Sequence, residues 1–240
     1  MPPLRPPARS TRTFRFLATF VRPAMQAMSA RSWAGAEHLP TDRGFVVAVN
    51  HTTNLDPLTI CHFLWDNGFA PRIMAKHSLF SVPVLRQALA GLEAIPVHRG
   101  TAAGARSLDA AAQALERGEC ILVFPEGTHT KDPDLWPMLA KTGTARLALD
   151  TGAPVIPVAQ WGAQQVLPPR GKLLRVIPRK TVEILAGPPL QVDDLRDTPG
   201  AAKQITSRLT ARLTEQVAQL RGEDPPDGVW DPRTSTRVPR

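Results

Sequence analysis

Residues 45–57 read Phe45-Val-Val-Ala-Val-Asn-His-Thr-Thr-Asn-Leu-Asp-Pro57, or FVVAVNHTTNLDP. A short apolar run rich in β-branched side chains stops at a polar cluster containing His51. Such a run, bounded by polar residues, reads as a buried strand. Asp56-Pro57 is a helix-start signature, with proline at the first helical position, and the spacing predicts a helix from Pro57 to about Trp65. The stretch is therefore a strand, a turn and a helix start, with a histidine at the strand exit and an aspartate where the helix begins.

The same alternation continues outward. RIMAK (72–76), AIPV (94–97), CILVF (120–124), APVIPVAQW (153–161) and TVEILAG (181–187) read as strands. Helical patterns occupy 104–117, 142–152 and a stripe of Ile205, Leu209, Leu213, Val217 and Leu220 that stops at Gly222. Strands alternating with helices predict an α/β fold: one domain with a mixed, largely parallel sheet flanked by helices. In such folds ligands bind beyond the carboxyl ends of the strands, which is where NHTTNLDP and PEGTHT leave their apolar runs. The domain is expected over 31–221, with a disordered arm at 1–9 and a disordered tail at 222–240, because the proline-rich ends offer little to bury.

At 240 residues and 42% hydrophobic, the chain is long enough for a sizeable core. No apolar run approaches the ~18–20 residues that span a bilayer, which predicts a soluble or membrane-surface protein. Cys61 and Cys120 lack any C-x-x-C partner and read as buried thiols in a reducing compartment. The net charge is +8, unevenly spread. The first 36 residues hold six arginines and no acid, and RGKLLRVIPRK (170–180) holds five cations and no acid. Such patches attract phosphate on nucleic acid or anionic lipid. Tyrosine is absent and aromatics are few, so stacking platforms for bases are poorly supplied and lipid is the favoured partner. Residues 10–30 read as an amphipathic helix with Phe14, Leu17, Ala18, Val21, Met25 and Met28 on one face and Pro23 as a kink or break. That face suits a membrane interface or the chain's own domain.

Three strand exits carry chemistry. A carboxylate at position 56 bonded to one ring nitrogen of His51 would fix the tautomer and leave the other nitrogen to take a proton. Asp56 also reads as a helix cap. Spacing alone does not decide, since His129 and Asp134 repeat H-x4-D; context favours the first pair, because His51 leaves an apolar strand whereas His129 lies in a polar stretch. In FPEGTHT (124–130), Glu126 is a candidate for a substrate hydroxyl, and Thr128 and nearby amides for phosphate. AIPVHRG (94–100) places Arg99, a bidentate phosphate ligand by type, at a third exit. No G-x-S-x-G elbow, P-loop, H-E-x-x-H or zinc-type cysteine pair is present.

NHTTNLDP, LEAIPVHRG, FPEGTHT and APVIPVA together resemble, in order, the four blocks of the 1-acyl-sn-glycerol-3-phosphate acyltransferases, over roughly residues 30–190. The resemblance implies an α/β acyltransferase peripheral to the cytoplasmic face of the cell membrane. It implies acyl transfer from a coenzyme A or acyl-carrier-protein thioester to the sn-2 hydroxyl of 1-acylglycerol 3-phosphate, with no metal, no further cofactor and no nucleic acid. His51 would be the base and Asp56 its partner. Arg99, Glu126, Gly127 and Thr128 would serve the acceptor and its phosphate, with Lys141 and Lys76 as further candidates. His129 stands where the family commonly has arginine, so Lys131 or Lys141 would have to replace that contact. Other acceptors of the same chemistry are glycerol 3-phosphate, a lysophosphatidylinositol mannoside or an amino-lipid. A non-catalytic basic membrane protein would fit the charge but leave the three exits unexplained.

Overall fold

The computed structural model describes residues 7–98 and 103–239. In chain order the elements are α1 (Arg12–Met28), β1 (Ser29–Ala34), β2 (Phe45–Val49), α2 (Asp56–Asp66), β3 (Arg72–Lys76), α3 (Pro83–Gly91), β4 (Ile95–Val97), α4 (Ala103–Glu116), β5 (Cys120–Val123), α5 (Gly143–Thr151), β6 (Val155–Trp161), α6 (Ala163–Val166), β7 (Lys180–Ala186), α7 (Ala201–Arg221), β8 (Val229–Asp231) and β9 (Thr236–Val238). A seven-stranded sheet runs β1-β7-β6-β2-β5-β3-β4. From β6 to β4 all neighbours are parallel, while β7 is antiparallel to β6 and parallel to β1. The fold is thus α/β with a mixed, mostly parallel sheet. A parallel pair needs a crossover element, whereas neighbours joined by a returning loop run antiparallel. The link from β6 to β7 holds only the short α6 and a loop, and so reverses the chain.

Strand β2 is central, with Val46 opposite Ile121 of β5 on one side and Val155 of β6 on the other. All five of its residues are buried. Their period of two divides them between faces. Val46 and Ala48 join Ala111, Leu147, Ile205 and Leu209 under α4, α5 and α7, while Phe45, Val47 and Val49 join Ile60, Phe63 and Leu64 under α2. Each fully buried aliphatic or phenyl side chain contributes about 1.5–3 kcal/mol. Ile205, Leu209, Leu213 and Val217 of the α7 stripe are buried as its spacing predicts, Leu220 is partly buried, and Gly222, in the left-handed region at φ 63°, ends the helix.

Several expectations change. α1 runs through Pro23 as one helix. Its Phe14 stacks on Trp65 of α2 at 5.2 Å and Met25 is buried with Leu55 and Val182, so the apolar stripe packs on the domain. Phe16 and Phe20, in mutual edge contact at 5.2 Å, are the aromatics left exposed. Residues 222–239 are not a loose tail. β8 and β9 pair as a hairpin, Leu139 donates to the Trp230 carbonyl at 2.9 Å, and Arg237 pairs with buried Asp132 at 2.6 Å. The proline-rich composition hid one buried valine and one buried aspartate that dock against the body. Strand β1, SARSWA, escaped the sequence reading because an edge strand needs no apolar alternation. Cys61 and Cys120 are unpaired thiols. Among the described residues no helix is long and apolar enough to cross a membrane.

Candidate active site

Because β2 and β5 are parallel neighbours, their carboxyl ends lie side by side, and the loops carrying His51 and Glu126 emerge together. Asn50 anchors the first exit. Its side-chain amide donates to the Gln160 carbonyl at 3.1 Å, and its Oδ1 accepts from the Gln160 amide at 2.8 Å. Gln160 also accepts from Thr59 of α2 at 2.5 Å. This clamp was not read from the sequence; its only signal is a glutamine near the end of an otherwise apolar strand.

His51 Nδ1 lies 2.9 Å from Asp56 Oδ2. The same oxygen accepts the backbone amides of Thr52 at 2.5 Å and Thr53 at 2.8 Å. With Oδ2 receiving two amides, Nδ1–H is the donor to it and Nε2 carries the lone pair. Helix α2 begins at Asp56 itself, with Leu55 at the N-cap. Asp56 therefore does not cap its own helix; its fully buried carboxylate caps the preceding turn and orients the imidazole. The ring is held on both sides, by Phe124 stacked at 4.2 Å and by the edge of His129 at 4.2 Å.

Glu126 departs from its expected place. The carboxylate is buried, with Oε1 accepting the His51 amide at 2.9 Å and Oε2 the Met138 amide at 3.1 Å. Both oxygens are thus committed to backbone, tying the two exits together, and Thr130 N–H to the His51 carbonyl at 2.7 Å is a second tie. Burial pushes the Glu126 pKa up to about 8 against the opposing pull of the two amides, with the Asp56 and Asp132 charges adding to the rise. His129 lies below its ordinary value because of burial and then the neighbouring His51.

Gly127 turns the loop at φ 78°, a conformation that disfavours side chains, and a Cβ there would sit 3.2 Å from the Lys141 Cε. The Lys141 amide donates to the Pro125 carbonyl at 2.9 Å. Lys141 stands between two cavities. One, of about 600 Å³, is bounded by Phe124, Gly127, Arg146, the first residues of α5 and Gly104 near the start of α4. The other, of about 650 Å³, faces α7 and the C-terminal hairpin and includes Thr128, Lys131, Lys203 and Arg233. Thr144, at the start of α5, has a buried hydroxyl without a partner among the described residues and lines the first cavity. Lys76 is exposed at the end of β3, opposite Val97, and among the described residues lines neither cavity. Arg99 lies outside the described residues, in the link between Val97 and Gly104, both of which line the first cavity.

The chain is similar to known acyltransferases in sequence and in fold. The Acyltransferase family profile matches residues 31–161, more than half of the chain. A 1-acyl-sn-glycerol-3-phosphate acyltransferase of Bacillus subtilis is 27% identical over 210 residues, covering 86% of this chain and 96% of that protein. The enzyme of that name from Borreliella burgdorferi is 30% identical over 128 residues, covering 53% of this chain and 49% of its own length. In fold, the chain resembles the crystal structure of the 1-acyl-sn-glycerophosphate (LPA) acyltransferase PlsC from Thermotoga maritima. The TM-score is 0.68 at 24% identity, covering 88% of this chain and 80% of that one. His51 and Asp56 both fall within the span that the family profile matches, and with more than half of its length so matched the chain belongs to the Acyltransferase family.

Proposed function

We propose that the chain transfers an acyl group from a coenzyme A or acyl-carrier-protein thioester to the sn-2 hydroxyl of 1-acylglycerol 3-phosphate, yielding phosphatidic acid. The observation that carries this reading is the His51–Asp56 contact at 2.9 Å, with the carboxylate fixed by two backbone amides. Nε2 of His51 takes the hydroxyl proton as the acceptor oxygen attacks the thioester carbonyl. The tetrahedral intermediate collapses with breakage of the C–S bond, and the imidazolium returns its proton to the departing thiolate. Asp56 stabilises the imidazolium between these events. Because the thioester is already activated, no acyl-enzyme is needed.

The acceptor phosphate is assigned to the first cavity, where Lys141 and Arg146 meet the amino end of α5. A helix amino end without a side-chain cap, and its dipole, favour an anion there, and the Thr144 hydroxyl is an unmet donor among the described residues. Arg99 is assigned to the same phosphate from its position in the chain, and Thr128 and Lys131 to the opposite rim. Glu126 acts by holding the His51 amide. The enzyme is placed peripherally at the cytoplasmic membrane face, with Phe16 and Phe20 beside Arg12 and Arg15 as the α1 contribution. His129, in place of arginine, favours a test against several acceptors. Release of free thiol by wild type and His51→Ala, with lysophosphatidate, glycerol 3-phosphate and other lysolipids, tests the proposal. Release only with lysophosphatidate, lost in the variant, supports it. Equal release in both proteins overturns it.

A further inference from the structure

We infer that the loop from Arg170 to Lys180 is a second lipid-contacting element, separate from α1, which seats the mouth of the catalytic cleft on an anionic bilayer. The inference deepens the proposed function, because it supplies the route by which a lipid acceptor reaches the site. It rests on what the loop displays and on how firmly it is held.

The loop displays Leu173 at 81% exposure and Ile177 at 89%, with exposed Leu174 between them. Large aliphatics so open on a folded chain call for a covering partner when they cluster. Around them stand Arg170, Lys172, Arg175, Arg179 and Lys180, and no acid occurs anywhere in residues 151–182. Aliphatic tips set among cations match an interface of acyl chains beneath anionic headgroups. Residues 163–186 contain no aromatic, which leaves a single strand of nucleic acid nothing to stack on.

The loop is also anchored. Arg175 N–H donates to the Val166 carbonyl at 2.7 Å, and the Arg179 guanidinium donates to the carbonyls of Gln26 at 2.5 Å and Ser29 at 3.0 Å. Val176 packs into the cluster of Met25, Leu55 and Val166. The exposed residues are therefore held outward by a docked neighbour rather than left over from a poorly packed segment. Three residues before the loop begins, the chain touches the site: the Thr53 hydroxyl donates to the Leu167 carbonyl at 2.6 Å, and Thr53 is one of the two residues whose amides hold Asp56. At its end it is tied to the carboxyl end of α1 through Arg179. One surface thus links the cleft mouth to the N-terminal helix.

Vesicle flotation of the full chain tests this. Wild type is expected to float with phosphatidylcholine vesicles containing about 30 mol% phosphatidylglycerol and far less with phosphatidylcholine alone. Leu173→Ser/Leu174→Ser/Ile177→Ser should weaken flotation at least about tenfold while the thermal midpoint holds, because none of the three is buried. Lys172→Gln/Arg175→Gln should chiefly erase the preference for anionic vesicles. A triple variant that floats within about twofold of wild type overturns the inference; so does a wild type that ignores vesicles but retains a DNA duplex. Flotation needs no turnover, so a wild type that floats through the loop yet releases no thiol removes the proposed function and leaves this inference standing.

Discussion

His51–Asp56 and His129–Asp134 share one spacing in the chain and differ in everything else. In the first pair the histidine ends a buried strand and the aspartate opens a helix, so the backbone between them is a turn that closes on itself. In the second, the Asp134 side chain is largely exposed and reaches toward Arg237 at 3.5 Å, while His129 turns back against the ring of His51. The carboxylate in the first pair is held by two amides, whereas the Asp134 amide itself donates to Asp132 at 2.8 Å. Spacing makes a contact possible; rigid elements at both ends and a firmly held carboxylate fix it in place.

The largest expected effect tests that contrast directly. His51→Ala should reduce thiol release by ~10²–10⁴-fold, the usual worth of a general base, with the thermal midpoint little changed. The contrast breaks if His129→Ala loses that much and His51→Ala does not. Glu126→Gln comes next. A neutral amide must face one of its two N–H partners with a second donor, costing about 1–3 kcal/mol of stability and loosening the His51 loop. The substitution also has a pH signature. Folded Glu126 keeps its proton up to about 8, against 4.5 for the ordinary carboxyl. Between those values the folded chain binds more protons than the unfolded one, so stability falls as pH rises through this window and is fully present below it. Denaturant titrations across that range should show the slope in wild type and lose it in Glu126→Gln.

Gly127→Ala is expected to cost about 1–2 kcal/mol from the left-handed backbone and to raise the acceptor KM as the methyl meets Lys141; an unchanged KM would detach Lys141 from the phosphate. His129→Ala should cost less than about tenfold, since it removes only an edge contact from a ring still held by Asp56 and Phe124. Asp134→Asn is the smallest, within about 0.5 kcal/mol in stability and silent in activity. A marked effect there would mean that the second pair does more than its geometry shows.

Much of this was legible in the sequence because the signals were local. Phe45–Val49 is a buried strand by composition, Asp56-Pro57 a helix start by backbone chemistry, and the α7 stripe a buried face by period. What escaped depends on partners distant in the chain. Glu126 reads as an open carboxylate until Met138, twelve residues on, takes its second oxygen. The Asn50–Gln160 clamp spans 110 residues. The α1 stripe was correctly apolar, but which surface it meets is decided by Trp65.

The C-terminal hairpin has a practical corollary. Met138, whose amide secures Glu126, bridges to Trp230, and Leu139 shares that tie. Trimming the chain after Gly222 to obtain a tidier protein for crystals would strip the outer support from the segment that steadies the His51 loop. A shortened enzyme could keep its sheet and still lose turnover through slack at a place no deletion touched.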